Sequence, residues 1–206
     1  MAPLQQHVLS DLGWALPLSA LGVLLLTPLV IRLARRLEWV AYPREDRWHG
    51  RPTALMGGIA IYGAATIGLF AVLPPGDVWA VWSGATLLFV VGAVDDLARV
   101  QPAAKLAAQV VATGLLLYAG YAFGAHWPLW LSLPVTLLWI VGITNAVNLL
   151  DNMDGLAAGV AGIAAVVMAV FAGLTGSATA VALGGAVGGA ALGFLAFNYE
   201  PARIFM

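Results

Sequence analysis

The chain has 206 residues, of which 62% are hydrophobic and 9% charged, with a mean hydropathy of +0.93 and a formal net charge of −1. Soluble globular domains carry about 25% charged residues, so a soluble enzyme is excluded and no nucleic-acid partner is expected. There are no cysteines, which removes disulfides and thiolate metal sites.

A helix needs about 20 apolar residues to cross a hydrocarbon core of about 30 Å. Runs of that order recur at 14–33, 56–73, 78–94, 105–124, 129–149, 156–174 and 178–197. They are continuous, whereas strands of a membrane barrel alternate over about 10 residues. The expected fold is therefore all-α, a polytopic transmembrane helix bundle of about seven spans forming a single membrane domain over residues 1–206. The first run is too long for a signal-peptide core and lacks a convincing cleavage site, so it is expected to remain in the mature protein. Short breakers such as Pro74–Asp77 ("PPGD") and Thr175–Ala178 ("TGSA") turn the chain between runs.

Seven crossings alternate the connections between two faces. Arg32, Arg35, Arg36, Arg44, Arg47, Arg51, Arg99, Lys105 and Arg203 then all fall on one face. The positive-inside rule makes that face cytoplasmic and puts the N-terminus outside. Parity also brings "REDRWHGRPT" (44–53), "DDLARVQPAAK" (95–105) and "NAVNLLDNMDG" (145–155) to the cytoplasmic side.

Between the first two runs, Arg44, Arg47, His49 and Arg51 could hold an anionic lipid head or a diphosphate. The plainer reading, topology-setting charge, explains Arg32, Arg35 and Arg36 well and His49 less well. At the end of the third run, the adjacent carboxylates Asp95 and Asp96 suit a divalent cation or a phosphate-handling base, with Lys105 opening the fourth. A solvated stop signal at a helix end is the alternative.

Asn145, Asn148 and Asp151 recur every three positions and so keep near one helical stripe, facing protein or water rather than lipid. Asparagines bonding between helices are the structural alternative. Asp154 and Gly155 follow at the turn into the sixth run, whose N-terminal amides would favour a phosphate. The seventh run carries "ALGGAVGGAALG", with glycines at four-residue spacing that let helices approach closely. Trp79, Trp82, Trp127 and Trp130 cluster at predicted outer boundaries as an aromatic belt.

Four segments in this order, "DRWHGRPTALMGG", "DDLARVQPAAK", "NAVNLLDNMDGLAAG" and "FNYEPARIFM", resemble the polyprenyl-phosphate N-acetylhexosamine-1-phosphate transferases from about residue 44 onward. The resemblance implies transfer of a sugar-1-phosphate from a UDP-sugar to undecaprenyl phosphate, with release of UMP and Mg²⁺ as cofactor. It further implies a bacterial plasma-membrane enzyme with a cytoplasmic active face, and it leaves room for a homodimer. By matching position, Asp95 and Asp96 would be catalytic. His49, Arg51, Lys105, Asn145 and Asp154 would bind substrate, and Asn148 and Asp151 would hold the metal.

Two departures stand out. Asp151-Asn152 replaces the family's Asp-Gly, and family chains continue after a matching Phe-Met with a Gly-Asp-x-Gly-Ser loop, whereas this sequence stops at Phe205-Met206. The reading therefore expects the N-terminal two-thirds of the family's usual length, inactive by itself. A UDP-MurNAc-pentapeptide translocase is the alternative substrate branch. An ion-coupled transporter and a noncatalytic scaffold are the rivals from other classes.

Overall fold

A computed structural model describes residues 13–42, 52–124 and 126–206. Among them are seven α-helices: α1 (Ala15–Arg36), α2 (Gly57–Phe70), α3 (Trp79–Ala98), α4 (Pro102–Tyr118), α5 (Leu129–Leu150), α6 (Leu156–Thr175) and α7 (Ala178–Asn198). The all-α expectation holds. Five of these helices, α1, α3, α5, α6 and α7, are long and apolar enough to cross a membrane, and the chain is a multi-pass membrane protein.

The other two are shorter. At 1.5 Å per residue, the 14 residues of α2 reach about 21 Å and the 17 of α4 about 26 Å. The sequence runs extend further because apolar residues continue past each helix end. In α4 the stop is a left-handed Gly120 (φ 89°), with Tyr121 N–H donating to Leu116 C=O at 2.9 Å and Gly120 N–H to Leu117 C=O at 3.0 Å. That six-to-one and five-to-two pairing satisfies carbonyls the helix end would otherwise leave open.

The described residues form two compact units, one running through Asp77 and resuming over Asp151–Met206, the other Val78–Leu150. In the first, α7 packs against α1, α2 and α6. Helix α1 buries Ala15, Ser19, Val23, Thr27, Val30 and Ala34, a stripe three or four residues apart as a single buried face requires. The Thr27 hydroxyl donates a hydrogen bond to Val23 C=O at 2.7 Å, so the polar group costs the apolar interface little. Val23, Ala60, Ala64, Ala190, Phe194 and Ile204 form the centre of the core.

The glycines of α7 divide between two neighbours. A methyl group at Gly184 or Gly188 would meet Ala165, Ala169 or Val166 of α6, whereas one at Gly189 or Gly193 would meet Leu16, Ala20 or Val23 of α1. Lipid supplies no hydrophobic drive between helices, so close backbone approach through small residues is what holds them.

A small antiparallel pair, β1 (Val40–Ala41) with β2 (Thr53–Ala54), follows α1, and Ile204 joins Ala54 in a parallel bridge. Strands of two residues are too short for a periodic signal, which is why the sequence gives no hint of them.

In the second unit α4 packs against both α3 and α5. Helix α5 buries Ser132 and Thr136. The Ser132 hydroxyl donates to Phe123 C=O at 2.6 Å and Phe123 N–H donates to the Thr136 hydroxyl at 2.9 Å, tying the α4–α5 connection back onto the helix.

Candidate active site

The third and fourth runs meet in a tight turn. Helix α3 ends at Ala98, Arg99 takes a left-handed conformation at φ 48°, and α4 begins with Pro102 in its first turn. Proline suits that position, since the N–H it lacks has no helical partner there.

Asp95 organises this turn. Its Oδ1 accepts Val100 N–H at 2.8 Å, and its Oδ2 accepts a hydrogen bond from Lys105 Nζ. Lys105 lies in the first turn of α4, where the positive end of the helix dipole disfavours an ammonium. The Asp95 carboxylate compensates. With side-chain exposures of 35% for Lys105 and 27% for Asp95, the pair remains screened by water and contributes at most about 1 kcal/mol. Its value is orientation. Asp96, the next residue, is exposed.

One helical turn along α4 from Lys105 is the buried Gln109, whose role is not apparent from the sequence. Asn145 Nδ2 donates to Gln109 Oε1 at 2.8 Å and to Val141 C=O at 2.8 Å, while Gln109 Nε2 approaches Asn145 Oδ1 at 3.5 Å. Asn145 thus ties α5 to α4, as the interhelical alternative envisaged. Asn148 follows on the exposed surface of α5 nearer its C-terminal end. The second unit therefore brings Asp95, Asp96 and Lys105 to one turn and joins Asn145 to α4 through Gln109. A double-mutant cycle with Gln109→Ala and Asn145→Ala should show coupling of about 0.6 kcal/mol and at most about 1.7 kcal/mol. Unfolding midpoints in detergent would measure it; strictly additive losses would mean that the amides do not pair.

The first unit holds the other part of the motif. Asp151 and Asn152 lie in the turn after α5 and are exposed. Asp154 Oδ2 accepts the backbone N–H of Ala202 at 3.0 Å. Gly155, left-handed at φ 72°, caps α6, and its N–H donates to Asn198 Oδ1 at 3.0 Å. Asn198 lies in the "FNYEPARIFM" segment, and its burial at the end of an apolar helix is the feature that singles it out. His49 and Arg51 lie outside the described residues.

The oxygen donors here are carboxylates and amides, which suit hard cations. Among the described residues no group of three or more His, Cys, Asp or Glu side chains gathers as a metal cage. The set fits Mg²⁺ in kind, because that ion typically takes one or two protein carboxylates and completes its shell with water and substrate phosphates.

The profile of glycosyl transferase family 4 matches residues 78–206. The chain is 35% identical over 204 residues to the probable undecaprenyl-phosphate N-acetylglucosaminyl 1-phosphate transferase of Bacillus subtilis (strain 168), an alignment covering 91% of this chain and 56% of the relative. It is 34% identical over 236 residues to the decaprenyl-phosphate N-acetylglucosaminephosphotransferase of Mycolicibacterium smegmatis, covering 96% and 58%. It is 33% identical over 223 residues to the phospho-N-acetylmuramoyl-pentapeptide-transferase of Moorella thermoacetica, covering 93% and 68%. The chain spans a little over half the length of the first two relatives. With the family profile matched from the start of α3 through the DD turn, the asparagine stripe and the final Phe-Met, the chain belongs to glycosyl transferase family 4.

Proposed function

We propose that the chain serves in transferring a sugar-1-phosphate, of the N-acetylhexosamine-1-phosphate class, from a UDP-sugar to undecaprenyl phosphate at the cytoplasmic face of a bacterial plasma membrane. UMP is the leaving product. One observation carries this reading: an exposed Asp96 stands beside an Asp95–Lys105 pair at the end of an apolar helix. The 35% identity to a protein named for N-acetylglucosaminyl 1-phosphate transfer adds weight.

In the proposed step an oxygen of the lipid phosphate attacks the sugar-bearing phosphorus. The bond from that phosphorus to the bridging oxygen breaks, and UMP leaves with the electron pair. Phosphoryl transfer asks little covalent chemistry of a protein; positioning and neutralisation of developing charge dominate.

Asp96 would deprotonate or orient the lipid phosphate. Asp95 would fix Lys105, whose ammonium has two further N–H donors for a phosphate oxygen. His49 and Arg51 would supply cations, and Asn145 and Asp154 would meet the sugar nucleotide. Asn148 and Asp151, three residues apart in sequence, would offer oxygen ligands to Mg²⁺, which when bound neutralises diphosphate charge. The topology underlying this is the parity argument: about seven crossings, with the N-terminus outside. A homodimer is compatible with the same reading.

The test is a membrane assay of the intact gene product with polyprenyl phosphate, Mg²⁺ and labelled UDP-N-acetylglucosamine. The expected result is UMP and a lipid-linked diphospho-sugar in equal amounts. Turnover of UDP-MurNAc-pentapeptide alone would favour the second substrate branch, to which the Moorella relative's name points. Gradient-driven uptake without UMP would favour a transporter.

A further inference from the structure

We propose that Asn198 is a positioning residue, which sets the loop 151–155 by fastening it to residues 202–205; the proposal rests on the transferase reading above for its effect on rate. Asn198 is the last residue of α7 and is 3% exposed. Its Oδ1 accepts Gly155 N–H at 3.0 Å and its Nδ2 donates to Ile204 C=O at 2.9 Å. A second strap runs parallel, from Ala202 N–H to Asp154 Oδ2 at 3.0 Å.

Residues 203–205 are themselves held. Arg203 N–H donates to Phe197 C=O at 2.8 Å, and Phe205 N–H donates to Ala54 C=O at 2.8 Å. Phe205 C=O in turn accepts Gly57 N–H, the first amide of α2, at 2.9 Å. Ile204 is fully buried between these bonds. The Asn198 amide is thus a buried link between a braced segment and a short loop.

The chemistry of that link needs one donor and one acceptor on a short side chain in a dry place. Asparagine provides both. An aspartate keeps the acceptor for Gly155 and loses the donor for Ile204; an alanine loses both. Asp151 lies four residues before Gly155 in the turn between α5 and α6, so the placement of Gly155 bears on the carboxylate that the transferase reading places at the diphosphate. Misplacement by about 1 Å can cost about 100-fold in rate.

The experiment compares wild type, Asn198→Ala and Asn198→Asp as the intact gene product, with rates normalised to monodisperse protein. Asn198→Ala should lower kcat for UMP release by about 10- to 100-fold while KM for the UDP-sugar stays within about twofold of wild type, since the amide touches backbone rather than substrate. Hydrogen exchange read by mass spectrometry should quicken in residues 151–155 and 202–205 together. In Asn198→Asp, which keeps the acceptor, exchange should quicken in 202–205 more than in 151–155.

An unchanged kcat per folded molecule, or a loss confined to KM, would overturn the proposal. So would unaltered exchange at 151–155 in Asn198→Ala, whatever the activity. Should wild type release no UMP while the exchange of both segments responds together, the transferase reading fails and the fastening of the loop stands.

Discussion

Asp96→Asn in the intact gene product is expected to cut UMP release by about 100- to 10,000-fold, the usual contribution of a positioned general acid or base. The substitution preserves shape and removes only charge and basicity. Asp95 accepts Val100 N–H on one oxygen and the Lys105 ammonium on the other, which fixes it within the turn. Its neighbour Asp96 is exposed, and it is the carboxylate the transferase reading assigns to the lipid phosphate. KM for the UDP-sugar should change little, because Asp96 is assigned to the lipid phosphate. Steady-state UMP release in membranes supplied with polyprenyl phosphate measures both constants. If Asp96→Asn keeps more than about a tenth of wild-type kcat, well above the expected range, the assignment of Asp96 to the chemistry is wrong.

Much of the architecture could be read from residue patterns because lipid imposes so strict a rule. Every buried backbone amide must be paired within its own segment or barrel, so long apolar runs become helices. The glycine spacing in "ALGGAVGGAALG" likewise became close packing, with its two glycine rows meeting different helices. Where helices stop was harder. The run ending at 124 overshoots α4 because Ala119, Tyr121 and Phe123 are apolar, although Gly120 was available as a left-handed stop.

The acidic motifs stand out in the sequence, but their hydrogen-bond partners do not. Asp154 was expected at the nucleotide, yet one of its oxygens is committed to Ala202 N–H. Gln109 and Asn198 escaped attention because what makes each of them matter is a partner 36 or 43 residues away. A single amide inside an apolar helix, one turn from Lys105, was the available signal for Gln109, since such a group must find a partner. Nothing in periodicity names that partner. Pairing across helices depends on which faces meet, and a stretch of alanine, valine and leucine specifies faces weakly.

Gly189→Ala is expected to destabilise the fold by forcing α1 away from α7. The added carbon would stand 2.9 Å from the Leu16 carbonyl carbon and 3.0 Å from Leu16 Cα, both backbone atoms of α1. A side chain could rotate away; a helix backbone cannot, so α1 and α7 must separate. Overpacking of this kind costs about 1–3 kcal/mol. The helix propensity of alanine returns at most about 1 kcal/mol, so the collision wins. In Gly92→Ala the new methyl group meets no atom within 4 Å, leaving only the propensity gain, and that variant should match or exceed wild type. Thermal unfolding in detergent, followed by the fraction remaining monodisperse, separates the two. Equal melting temperatures for Gly189→Ala and Gly92→Ala would mean that α1 and α7 do not approach through Gly189, and the packing that sets the end of α7, and Asn198 with it, would need another origin.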